Sequence, residues 1–291
     1  MSSSLKFKKV YIDSKFKNTN SASSSDFTID LPETMYFDDN SSVFYIDDIC
    51  IPHAWYTIEP NFNDQLYIRV VTPTIESHYI ITLYPGNYSG PTLADMIQEA
   101  INDDPISPLN MMFVTYVPKT NQLSFVLNPA AFTGGLGPGS GFNILTPADL
   151  KTRLGGTFLG LYDTNNPRDC NEIIGNLEGA NIFDTHPNPM ERGQVNLQPI
   201  RNIYMHSSSL GNLSNIGPDG SQTVIEKIPV VAPPGDYIFD QTVIANDYNS
   251  CSYQAIKKLD FQLKTSKSDI INLHGHEISF SIVFSKAYVD A

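Results

Sequence analysis

The chain has 291 residues, a hydrophobic content of 41% and a formal net charge of −13. That length supports one large β domain or two smaller ones. No apolar run approaches the ~20 residues of a membrane-spanning helix. The three cysteines, Cys50, Cys170 and Cys251, form neither a zinc pattern nor a disulfide framework. Met1-Ser2-Ser3-Ser4 lacks the apolar core of a signal peptide, so the expectation is synthesis in a reducing compartment without secretion. Aromatics are abundant, with 15 Tyr and 16 Phe against one Trp, which favours strands.

Charge is unevenly spread. Residues 1–25 hold Lys6, Lys8, Lys9, Lys15 and Lys17 against Asp13 alone, so this segment is basic and the body acidic. An acidic body resists non-specific nucleic-acid binding. The first strand, around Val10-Tyr11-Ile12, is followed by a polar stretch from Asn18 to Ser25. The reading is an extended basic N-terminal arm over 1–25. Lys6-Phe7-Lys8-Lys9 and Lys15-Phe16-Lys17 would dock on a neighbouring subunit or face packaged DNA, ordered only by those neighbours. The plainer alternative is an ordinary edge strand guarded by Lys.

Phe27, Ile29 and Leu31 then alternate with Thr28 and Asp30, the period of a half-buried strand. Val43 to Ile51 is a buried strand with a candidate bulge at Asp47-Asp48, stopped by Pro52. Strands follow at Leu66–Val71 and Tyr79–Tyr84, the latter closed by the Pro85-Gly86-Asn87 turn. Ser89 or Gly90 caps a helix whose apolar stripe is Leu93, Met96, Ile97, Ala100 and Ile101. A hairpin runs from Phe113 to Leu127 through Lys119-Thr120-Asn121. A short helix is capped by Thr146 with Asp149 returning the bond and ends at Gly155-Gly156. Residues 157–201 read as long loops. Strand signals return at Ile200–His206, Val224–Val231, Tyr237–Phe239, Lys257–Lys264 and Glu277–Val289. In the last, Ile278, Phe280, Ile282 and Phe284 face one way, and Ser279, Ser281 and Ser285 the other.

The chain is therefore mainly β: a sandwich from residues 26–60 plus 195–291, interrupted by an inserted small α+β domain at 61–165, with connecting loops at 166–194.

Catalytic motifs are missing. The glycine-rich run from Gly134 to Gly141 has neither the lysine nor the spacing of a phosphate loop. His274 and His276 would share a side if extended, but no third ligand stands at a diagnostic spacing. His53, His78, His186 and His206 are isolated. Asp38-Asp39, Asp47-Asp48 and Asp103-Asp104 fit solvated turns better than a calcium loop. No catalytic residue, metal site or cofactor is assigned, and the chain is not read as an enzyme.

Several segments together resemble the penton (vertex, or minor capsid) proteins of virophages, Maverick/Polinton elements and related double-stranded DNA viruses. They are Tyr11-Ile12-Asp13-Ser14-Lys15, Phe27-Thr28-Ile29-Asp30-Leu31, Pro85-Gly86-Asn87-Tyr88-Ser89 with the Leu93–Ile101 helix, and Phe113-Val114-Thr115-Tyr116 with Asn121-Gln122-Leu123-Ser124-Phe125. Tyr204–Leu210 and Glu226-Lys227-Ile228-Pro229-Val230 complete the order. Two departures stand out. Arg153-Leu154-Gly155-Gly156-Thr157-Phe158 replaces a Leu-Leu-Gly-Phe ending, and Glu191-Arg192-Gly193-Gln194 lacks the acid of an integrin-type Arg-Gly-Asp site. The resemblance implies a single jelly roll with an inserted domain. It implies five copies in a ring at each five-fold vertex of an icosahedral virion, assembled inside the host cell. The neighbouring major capsid protein would be a partner, and a host receptor or glycan would meet the outward insertion. The competing reading is a carbohydrate- or receptor-binding β-sandwich of fibre or lectin type.

Overall fold

The structure is a computed structural model. It describes residues 7–37, 40–133, 135–149, 168–176, 184–185, 188, 190–191, 193–211, 215–241 and 248–286. Lys6, Asp38-Asp39, Gly134, residues 150–167, His186, Arg192, and the end of the last strand beyond Lys286 lie outside these. The helix end at Gly155-Gly156 and the Arg153–Phe158 segment therefore do too.

The chain divides into two compact units, 1–55 with 200–291 and 56–199. In chain order the first unit begins with β1 (Phe7–Asp13), β2 (Asp26–Phe37) and β3 (Ser42–Pro52). The second contains β4 (Gln65–Val71), β5 (Glu76–Thr82), α1 (Gly90–Asp103), β6 (Met112–Val117), β7 (Gln122–Leu127) and β8 (Gly141–Ile144). Helix α2 (Asn171–Ile174), β9 (Asp184–Thr185) and β10 (Met190–Glu191) follow. The first unit resumes with β11 (Asn202–His206), β12 (Val224–Pro229), β13 (Tyr237–Gln241), β14 (Asn249–Ser250), β15 (Gln254–Lys264) and β16 (Ser279–Lys286). The protein is mainly β.

The first unit has two antiparallel sheets. One runs β1-β16-β3-β13, with β14 also on β3; the other runs β12-β11-β15-β2. One buried cluster draws on both sheets. At its centre Phe261 of β15 meets Phe27 of β2 at 5.5 Å and Phe280 of β16 edge-on at 4.8 Å, the geometry that aromatic quadrupoles prefer.

Three local rules decide details of these sheets. Asp48 pairs with Ser281 and Ile46 with Ile282, so Asp47 is the extra residue of a bulge, as expected from the two acids. Ser281 is completely buried despite its outward position, and its hydroxyl donates to Asp48 Oδ2 at 2.5 Å. Strand β2 continues through Pro32 by a larger irregularity. Residues 31–34 lie between Asp30 and Met35, opposite only Lys257. Lys257 Nζ donates to the carbonyls of Leu31 at 2.6 Å and Pro32 at 3.0 Å, replacing ladder bonds where proline has no N–H to give.

The extended-arm reading is corrected for residues 7–25. Phe7–Asp13 is a strand in full register with β16, from Phe7 opposite Ser285 to Asp13 opposite Ser279. Ser14–Phe16 is a 3-10 turn capped by Asp13, whose carboxylate accepts from Lys15 N. Ser24 and Ser25 are buried. Ile12 belongs to the core and Val10 packs against it, so residues 7–25 are part of this unit's own sheet and core.

In the second unit, β5-β4-β8-β9 form one sheet and β10-β7-β6 another. Helix α1 buries Leu93, Ala94, Met96, Ile97, Ala100 and Ile101. Ser89 caps it, with Thr92 returning the bond. Thr146 and Asp149 exchange the expected capping bonds. The reading of 166–194 as connecting loops is corrected for residues 168–176 and for strands β9 and β10, which pair with β8 and β7. Gln65 N donates to Arg168 O at 2.8 Å and Cys170 N to Gln65 O at 2.9 Å. Cys170, Ile173 and Ile174 enter the unit's core.

Candidate functional site

Four of the five N-terminal lysines are described, and the fold engages three of them with its own acids. Lys8 Nζ lies 2.7 Å from Glu33 Oε1 on β2. Lys9 Nζ pairs with Asp47 at the bulge and with Asp48 at 3.4 Å, and sits 5.2 Å from the Tyr11 ring centre. The hydrogen bond that Lys9 donates to Asp47 holds the ammonium above its ordinary pKa. Lys17 Nζ reaches Ser14 O at 3.3 Å and Glu277 Oε1 at 3.5 Å. Glu277 accepts from Ser14 Oγ at 2.5 Å and Ser24 Oγ at 2.7 Å. The Ser14 bond foremost depresses its pKa. Among the described residues Lys15 alone of the four has no side-chain partner, and it is exposed. The segment's positive charge is thus largely answered within the unit, which leaves less of it for phosphates.

What the first sheet does present is aromatic surface at its two edges. On the β1 side Tyr11 is 78% and Phe16 74% exposed; on β13 Tyr237 is 53% and Phe239 69% exposed. Alternation explains β13, where Ile238 between them is buried. The Tyr237 and Phe239 rings lie 6.1 Å apart. Sequence reading singled out the β1 lysines but missed β13 as a surface. The signal was present in Asp236-Tyr237-Ile238-Phe239-Asp240, two aromatics on one face of a five-residue strand.

The remaining sequence candidates do not gather into a reactive site. His274 and His276 are exposed on a turn, with His274 at φ 49° and Gly275 at φ 82°, so the extended geometry that would align them is absent. Among the described residues no three His, Cys, Asp or Glu are grouped to hold a metal. His53 stacks on Trp55 at 4.2 Å and its Nδ1 lies 2.7 Å from Ala232 O; burial lowers its pKa. His206 Nδ1 lies 2.9 Å from Thr223 Oγ1, and burial lowers its pKa also. Burial pushes the Cys170 thiol far up, away from nucleophilic use. Asp104 caps the backbone of Ile106 and Ser107.

The resembling segments instead hold local architecture. Asn87 Oδ1 accepts from Thr57 N at 2.9 Å, and Tyr88 Oη donates to Tyr84 O at 2.8 Å. A Cβ on Gly90 would stand 2.3 Å from the Tyr116 ring, so only glycine lets α1 start against the hairpin. Tyr116 Oη in turn donates to Asn121 Oδ1 at 2.9 Å. After β11, the Asp260 carboxylate accepts from Ser208 N at 2.8 Å and Ser209 N at 2.7 Å.

Neither a family model nor a curated protein matches the chain. Among solved structures, the mavirus penton protein is 9% identical, with a TM-score of 0.45, covering 96% of this chain and all of its own. A chain of the Sputnik virophage, determined by cryo-EM, is 15% identical with a TM-score of 0.44, covering 97% of this chain and 98% of its own.

Proposed function

We propose that this chain is a structural capsid protein whose first unit is a single jelly roll. Five copies would form a penton at the five-fold vertices of an icosahedral virion, with the inserted second unit facing outward. The observation that carries the reading is the pairing order. Set β14 aside and number the eight long strands of the first unit along the chain. The first then pairs with the eighth, the second with the seventh, the third with the sixth and the fourth with the fifth. That is one long antiparallel ribbon. Rolling it up adds the pairings β16·β3 and β11·β15, the pattern that a jelly roll's two sheets would have. Viral capsid proteins use this architecture, as do lectin domains and cupins. The order of the resembling motifs, the insertion between the third and fourth strands, and a surface of exposed aromatics favour a capsid subunit among these.

The test is the solution mass of the full-length protein by light scattering. A species near five times the protomer mass is expected. A trimer would redirect the reading to a fibre or capsomer, and a stable monomer at all concentrations would overturn assembly of the isolated protein.

A further inference from the structure

Resting on that reading, we infer that the ring closes by contact between the Lys15–Phe16 corner of one copy and the Asp236–Phe239 edge of the next. Three observations converge. The two features occupy opposite edges of one sheet, since the order is β1-β16-β3-β13 and no described strand pairs with either outer side. They are chemically complementary. Phe16 is exposed beside an exposed Lys15, while Tyr237 and Phe239 are exposed beside an exposed Asp236. Neither the Lys15 ammonium nor the Asp236 carboxylate has a side-chain partner among the described residues, although other N-terminal lysines do. Finally, they stand at one level. Asp13 pairs with Ser279, Ser279 with Cys50, and Cys50 with Phe239, a single row across all four strands. Lys15 and Phe16 lie just past that row. Tyr237, opposite Pro52, lies at the same end, and His53 N donates to Asp236 O at 2.8 Å.

Level placement matters for symmetry. A contact between different patches is heterologous, and it closes into a ring only when successive copies are related by rotation without translation along the axis. Patches at different heights along the strands would build a spiral. Patches in one row, about 14 Å apart at the usual strand spacing, let copies whose strands follow the ring axis close. A two-fold dimer through either edge would instead set Lys15 against Lys15 or Asp236 against Asp236. Once assembled, the aromatic rings supply the desolvated centre of the contact and the charge pair its register.

The experiment compares light-scattering mass against concentration for the full-length wild type, Lys15→Glu, Asp236→Lys and the double variant. Each single reversal is expected to weaken association about tenfold or more, because it places like charges across the contact. The double variant should return to within a few-fold of wild type. Thermal melts taken at concentrations where all variants are monomeric should be unchanged, since both side chains are exposed. Phe16→Ser and Phe239→Ser should weaken assembly without altering charge. Rings that persist in both single reversals, or a double variant that stays dissociated, would overturn this contact while leaving the ring reading intact. A wild type that remains monomeric would overturn the ring reading and this contact with it.

Discussion

The first unit is built from the two ends of the chain, the second largely from neighbouring hairpins. Phe7 lies opposite Ser285 and Asp26 opposite Gln262, whereas Met112 lies opposite Leu127 and Gln65 opposite Thr82. Closing long loops costs more entropy than closing short ones, and it must be met before the contacts form. The first unit therefore depends on collective burial across its two sheets. The second rests mainly on local hairpins and a capped helix, with distant chain joining at β8, β10 and residues 168–170. The protein carries separate reporters for the two: its one Trp, Trp55, is buried in the first unit, and α1, the long helix, is in the second.

The contrast breaks if damage to one unit moves both reporters together. The largest effect expected is from Phe261→Ala, which empties the aromatic centre of the first unit. It should cost ~3–5 kcal/mol and lower the urea midpoint followed by Trp55 fluorescence, with the helical circular-dichroism transition little changed. Arg168→Ala tests the reverse case. Arg168 Nε and Nη2 meet Asp64 Oδ1 and Oδ2 at 2.9 and 2.6 Å, and Asp64 is 3% exposed. Leaving that buried carboxylate with only the Asn61 N–H, which donates to Oδ2 at 2.9 Å, should cost ~2–3 kcal/mol, below the loss for a fully enclosed pair because the arginine is partly solvated. The loss should appear in the helical signal and spare the fluorescence. Ser89→Ala removes the cap of α1 and should cost ~1 kcal/mol in the same signal.

A smaller effect concerns pH. Burial places the folded pKa of His53 and His206 below the value of about 6.5 expected in the unfolded chain. Below that pH the unfolded state binds more protons, so stability is lost as pH falls and is fully present above it. The Trp55-reported melting temperature should drop modestly between about pH 7.5 and 5.5. His53→Gln should flatten that slope; an unchanged slope would remove His53 from the account.

Much of this protein was legible along the chain. Alternation marked β2, β15 and β16, an apolar run marked β3, the two adjacent acids marked the bulge, and Ser89, Pro91 and the apolar stripe marked α1. The hairpin turn at Asn121 was equally plain, with φ 54° there. Each of these signals lies within a few residues of its consequence. The tertiary structure decided the rest. It made residues 7–13 a sheet strand and matched Lys8, Lys9 and Lys17 to acids 25 to 260 positions away. It let β2 run past Pro32 because Lys257 serves the stranded carbonyls, and it drew Arg168 and Cys170 into the second unit. It also set Phe16 and Phe239 on opposite edges of one sheet. Periodicity fixes which face of a strand is apolar, but that pattern is the same whichever strand lies alongside. Pairing and edge position are settled only when distant strands bury their apolar faces together.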